Sequence, residues 1–241
     1  MTPPRRPQIR IKFTKAGKVR FVSHRDVARL FERALRKLRL PVAYSEGFSP
    51  RPKLSFGLAL SVSHESDAEY LDVELTELPD LEGLPEALTA ALPDGITVVG
   101  VVALAPGTAS LQQAITSCTW RIEVLGAPTA DVTAAVAAML ASSELPLERV
   151  RKGKTAVADV RPAILDVTIE GPTAHGVQLV ANLATESVSL RPSEFVTVLG
   201  IEGLTEGLVR RTHQWMTIDG ARQEPVSGPA PSIGHELQRA S

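Results

Sequence analysis

Between Gln8 and Phe13 the apolar residues Ile9, Ile11 and Phe13 alternate with Arg10 and Lys12, the period of two expected of a half-buried strand whose outer face is basic. Ala16-Gly17-Lys18 then turns the chain into Val19 to Val22. From Ser23 the period lengthens to that of a helix. Val27, Leu30, Phe31, Ala34, Leu35 and Leu38 fall on one face, and Arg25, Arg29, Arg33, Arg36 and Lys37 fall on the other. Ser23 with Asp26 three positions on resembles a capping box, and Pro41 ends the helix. Strands are predicted over Val42 to Tyr44, Leu54 to Leu60 and Glu69 to Leu75, with His64, Glu65, Ser66 and Asp67 in a loop before the last. A helix over Leu81 to Leu92 and a β-branched strand over Ile96 to Leu104 complete the order strand, helix, strand, strand, helix, strand. That is the ferredoxin-like βαββαβ pattern.

The order repeats from about Cys118: strand to Leu125, Ala-rich helix Thr129 to Ser142, strands near Val160 to Glu170 and Val177 to Ala184, helix Arg191 to Leu199, strand Leu208 to Met216. The expected fold class is therefore α+β, with tandem ferredoxin-like domains and antiparallel sheets. The expected layout is a flexible N-terminus over 1–7, a basic domain over 8–105, a linker over 106–115, a second domain over 116–218 and a disordered tail over 219–241, which is rich in Pro, Gly and Ser.

Charge changes this picture most. Residues 1–53 hold 15 of the 26 Lys and Arg against three acids, a net of about +12, while residues 54–241 hold 11 basic and 24 acidic residues, a net of about −13. A near-neutral total of −1 hides a polarised molecule, and a basic segment patterned to fold is the footprint of a polyanion partner, RNA first. With 44% hydrophobic and 22% charged residues the chain should fold, and it lacks any apolar run long enough for a membrane span or a secretory signal. A cytoplasmic protein is expected. One cysteine, Cys118, can neither close an internal disulfide nor hold an iron–sulfur cluster, and the five histidines lack metal-ligand spacing. No cofactor is expected.

The helix stripe Arg25, Arg29, Arg33 and Arg36, beside Arg20, is of one sign, and only Glu32 is available as an i,i+4 partner, to Arg36. Like charges at that spacing mildly oppose folding, which suggests binding. The loop Ser45 to Lys53 joins Phe48 to Arg51 and Lys53 between Pro50 and Pro52, so a stiffened segment carries one base-stacking ring and two phosphate-binding cations. A second basic segment, Arg149 to Thr155 with Arg151, Lys152 and Lys154, retains only Gly-Lys-Thr of a nucleotide-binding loop and suggests a flexible phosphate contact or a plain hairpin turn. His24, opening the basic helix, is the one candidate general base for RNA cleavage; capping or packing is the alternative.

The segments Val19-Arg20-Phe21-Val22-Ser23-His24-Arg25-Asp26, Tyr44 to Gly57, Glu69-Tyr70-Leu71-Asp72, Gly153-Lys154-Thr155 and Asp159-Val160-Arg161-Pro162 resemble the radical SAM-linked protein family, a domain of unknown function. The resemblance spans about residues 8 to 216 and implies a radical SAM protein as partner. The chain lacks the CxxxCxxC motif of such enzymes, so the resemblance implies an accessory and not the radical enzyme. The layout is also similar to CRISPR repeat-processing endoribonucleases, a likeness of fold alone. Three functions stand open: an RNA-binding accessory protein, a metal-independent endoribonuclease using His24, and a protein-interaction module with an acidic partner.

Overall fold

A computed structural model describes residues 6–151, 153–186 and 188–226. The elements are β1 (Gln8–Lys15), α1 (His24–Lys37), β2 (Leu54–Phe56), β3 (Glu65–Glu74), α2 (Leu84–Ala91), β4 (Ile96–Ala103), α3 (Leu111–Ala114), β5 (Ile115–Leu125), α4 (Thr129–Ala141), β6 (Pro146–Arg151), β7 (Lys154–Asp159), β8 (Ile164–Pro172), β9 (Val177–Ala184), α5 (Pro192–Val198), β10 (Thr205–Ile218) and β11 (Ala221–Gln223). The architecture is mixed α+β with a mostly antiparallel sheet. Nine strands form one sheet in the order β4-β1-β3-β10-β5-β9-β8, with β2 added on β3 and β11 on β10, while β6 and β7 pair as a separate ribbon.

Ile9, Ile11 and Phe13 of β1 and Leu71 and Val73 of β3 face α1 and α2, which bury Val27, Phe31, Ala34, Leu35, Leu84 and Leu88 against them. Ser23 caps α1, its hydroxyl accepting from the Asp26 N–H. A larger cluster joins Ile122 and Val124 of β5, Leu179 and Ala181 of β9 and Val209 of β10 to Val132 and Val136 of α4 and Phe195 of α5. Between Lys15 and Ile96 the chain is packed so closely that a Cβ on Gly95, whose φ is +92°, would lie 2.4 Å from the Ala16 carbonyl oxygen.

The two halves meet where β3 and β10 run parallel, Arg210 opposite Glu65 and Arg211 opposite Ser66. Alternate residues of β3, Glu65, Asp67 and Glu69, carry the acids of this seam. Arg210 binds Glu65 and Asp67, Arg211 binds Glu69, and Arg20 reaches Glu65 at 3.5 Å. Burial pushes the Glu65 carboxyl up, but the Gly17 N–H, Arg210 and Arg20 outweigh it and hold it below 4.5, its ordinary value; burial raises Asp67.

Three expectations are corrected. The basic residues of β1 do not form a solvated face: Arg10, Lys12 and Lys15 are buried. Arg10 forms a bidentate pair with Asp72 (2.7 and 2.8 Å), Lys12 donates to Glu224 at 2.8 Å, and Lys15 donates to the carbonyls of Arg20 and Val22. His64 and Glu65 are buried, and Glu65 to Asp67 open β3 instead of lying in a loop, because arginines from elsewhere neutralise them. On either side of residue 152 the chain pairs as a hairpin, Arg149 opposite Ala156 and Arg151 opposite Lys154, with Gly153 at φ of +73°, the hairpin reading that the sequence left open. The start of the expected disordered tail is ordered: β11 pairs with β10, Glu224 accepts from Lys12 and the Tyr70 hydroxyl, and Val226 is buried. The rest of the tail, 227–241, and residues 1–5 lie outside the described residues.

Two stability measurements test these pairs. Arg10→Met strands the Asp72 carboxylate and should cost about 3–5 kcal/mol in urea unfolding, whereas Arg10→Met with Asp72→Leu should recover most of that loss. Because the Glu65 carboxyl is held low in the folded state, its contribution is complete above 4.5 and is lost as pH falls below it. The urea midpoint of the native protein should therefore fall below pH 4.5, and Glu65→Gln should lower the neutral-pH midpoint and flatten that acid limb.

Candidate nucleic-acid interface

α1 is amphipathic, so burying one stripe fixes what the other presents. With Val27, Phe31, Ala34 and Leu35 turned to the sheet, Arg25, Arg29, Arg33, Arg36 and Lys37 all lie exposed on the solvent side. Arg29 bonds Asp26 at 2.9 Å, one turn back. Among the described residues Arg25, Arg33 and Arg36 have no acidic partner within salt-bridge distance, so three guanidinium groups remain available along about three helical turns.

The loop that follows is closed by its own backbone. Ser45 donates its N–H to the Arg51 carbonyl at 2.9 Å, the Ser45 hydroxyl accepts from the Arg51 N–H at 3.0 Å, and Tyr44 bridges Pro52. Phe48 is carried at the tip, fully exposed, with Arg51 exposed at the base. α1 ends at Lys37 and the chain rejoins the sheet at Val42, paired with Leu75, so the loop leaves the sheet at the end where the basic helix finishes. Lys53 is engaged at 3.0 Å by Glu74, on β3.

Other sequence candidates sit apart from this pair of elements. Arg20 lies in the 3-10 turn Gly17–Phe21, partly buried on Glu65, with its guanidinium 4.8 Å from the centre of the Phe21 ring. Phe21, itself exposed beside α1, is an aromatic surface that sequence reasoning passed over as part of an apolar run. His24 occupies the first position of α1, its ring edge-on to Phe56 at 5.0 Å. On the ribbon, Lys154 is exposed, the strand end at Arg151 closes the register opposite it, and Lys152 lies outside the described residues. Arg149 pins the ribbon to α5 through Glu194 at 2.9 Å, and Val150 and Val157, on the opposite face, are exposed. The ribbon therefore shows solvent an apolar face and spends its nearest described arginine on packing.

Cys118 lies buried on β5, and burial pushes its thiol up to about 11. No group of three or more His, Cys, Asp or Glu placed to hold a metal is found among the described residues, and no described helix is long and apolar enough to cross a membrane.

Solved structures of low sequence identity align with most of the chain. A Cbf5–Nop10–Gar1 complex aligns with a TM-score of 0.49 at 10% identity over 86% of this chain and 48% of that one. An H/ACA ribonucleoprotein bound to a substrate RNA containing 2′-deoxyuridine aligns with a TM-score of 0.42 at 11% identity, over 86% and 47%. The chain thus spans about half the length of each. An unknown protein from Galdieria sulphuraria aligns with a TM-score of 0.25 at 13% identity, over 85% and 98%. No curated protein matches the sequence. A family profile of uncharacterized proteins conserved in bacteria matches residues 8–192, from the first residue of β1 to the first of α5, and the chain belongs to that family, DUF2344.

Proposed function

We propose that this protein is a non-catalytic RNA-binding accessory protein of the cytoplasm, built from two ferredoxin-like halves over about 8–105 and 116–218. The single observation that carries the reading is the exposed row Arg25, Arg29, Arg33 and Arg36 on α1. Arginines spaced by one turn along a rigid rod match the repeat of phosphates along a backbone, and each guanidinium offers a fork of donors to phosphate oxygens. The proline-stiffened loop adds Phe48 as a stacking platform and Arg51 as a further cation at the end of that row. Strand order supports the two-fold repeat: β4-β1-β3-β2 in one half and β10-β5-β9-β8 in the other each run fourth, first, third, second.

In this reading a radical SAM protein, the partner implied by the sequence resemblance, performs the chemistry, and this chain presents the RNA to it. A binding face separate from any reactive centre is what such a division of labour requires.

Two measurements test the reading. Changing Arg29, Arg33 and Arg51 to Ala in a folded protein should weaken binding to a short single-stranded RNA and flatten the dependence of log affinity on log salt by about 2, since each lost phosphate contact removes about 0.7 from the slope. An unchanged slope overturns the proposal. Phe48→Ala should behave differently: about 1–3 kcal/mol of affinity lost by anisotropy titration, with the salt slope intact, because stacking releases no counterions.

A further inference from the structure

A cavity of about 490 Å³ opens where residues 58–61 face residues 190–192. Its size is that of a small-molecule site. Its floor is Cys118, Trp120 and Arg211. Arg211 is buried and already bound by Glu69 and the Leu58 carbonyl, so it offers no free charge to an incoming anion. Cys118 is a neutral thiol. Trp120 carries the Arg211 guanidinium 5.3 Å from its ring centre and the His64 ring edge-on at 6.1 Å, an arrangement that braces the indole upright. A braced indole, a guanidinium already paired with Glu69 and leucine walls suit a flat, neutral ring system, and the exposed Arg191 at the margin suits a phosphate attached to it.

Position supplies the second half of the argument. Leu60 lines this cavity and also a small void walled by His24, Val27, Phe56 and Glu69, and that Glu69 is the residue holding Arg211. One layer of side chains therefore separates the first residue of the basic helix from the cavity. Leu60 thus links the start of the basic helix to the wall of the cavity.

We infer that the cavity is a nucleobase pocket, which receives one unstacked base with its phosphate on Arg191; as a site on bound RNA it rests on the function proposed above. Extruding a base from a single strand or a bulge costs little, whereas a fully paired duplex resists it.

Trp120 and Trp215 are the two tryptophans. Trp215 stacks on His213 and lies under Arg222, and it does not line the cavity, so in a Trp215→Phe protein the fluorescence reports Trp120 alone. Titrations use adenosine 5′-monophosphate, a ten-nucleotide single-stranded RNA and a blunt RNA duplex without unpaired bases. A saturable change in Trp120 emission is expected with the first two and not with the duplex. Ala184→Phe, which fills the cavity from its wall, should abolish that change and weaken single-strand binding about tenfold while leaving its salt slope intact. Ser189→Phe, placed at an exposed position on the lining, should do the same without repacking the core.

Silent Trp120 emission with both ligands overturns the pocket even if RNA binds with a steep salt slope, a result that leaves the RNA-binding reading standing. A response to the mononucleotide without any RNA binding keeps the nucleobase pocket, makes a free nucleotide its occupant and overturns the RNA reading. An unaltered response in both filled variants places the ligand elsewhere and overturns the assignment.

Discussion

The seam between β3 and β10 is held by charge in a place where charge is expensive. Three acids at alternate positions of β3 stand against Arg210 and Arg211 from β10 and Arg20 from the turn before α1, and Glu65, Glu69 and Arg211 among them are buried. Desolvating such groups costs several kcal/mol each, and they are tolerable only together, because any one left alone would be an uncompensated ion. The seam is therefore selective more than strong. It demands that both halves be present in one register, and it makes two sheets into a single nine-stranded surface with a cavity at the join.

Local periodicity carried much of the fold into view. The alternation of β1, the amphipathic α1 with its Ser23 cap, and several of the later strands and helices follow from spacing alone. Spacing could not tell where a charged residue goes. Arg10 and Lys12 alternate with Ile9 and Ile11 as any solvated face would, but their partners, Asp72 and Glu224, lie 62 and 212 positions away. The same distance problem hid Glu65 and Asp67, which look like loop residues until Arg210 is placed beside them. Regular structure was also missed where the sequence is polar on both sides of a glycine: the β6–β7 ribbon buries Leu147 and uses Arg149 to hold α5, features invisible without Glu194.

The candidate interface shows the converse. Arg25, Arg33 and Arg36 stay exposed because the stripe opposite them is buried, and that complementarity is written within fourteen consecutive residues. Arg20 and Lys53, equally basic in sequence, are drawn to Glu65 and Glu74 by contacts that local pattern does not encode. Charge in the N-terminal segment thus divides between cations that hold the molecule together, Arg10, Lys12, Arg20 and Lys53 among them, and exposed cations such as Arg25, Arg33, Arg36 and Arg51.

The Lys12–Glu224 pair closes a loop of more than two hundred residues, and the strand that completes the seam is the last long one among the described residues. During synthesis the N-terminal half emerges with Glu65 and Glu69 facing an edge that has no arginines yet, and Lys12 and Tyr70 wait for a carboxylate made 212 and 154 positions later. Such non-local closure slows folding and leaves a strand edge open to wrong partners for as long as translation of the second half takes. On the ribosome, the nascent chain gains a complete sheet only once β10 and the segment to Glu224 have left the exit tunnel.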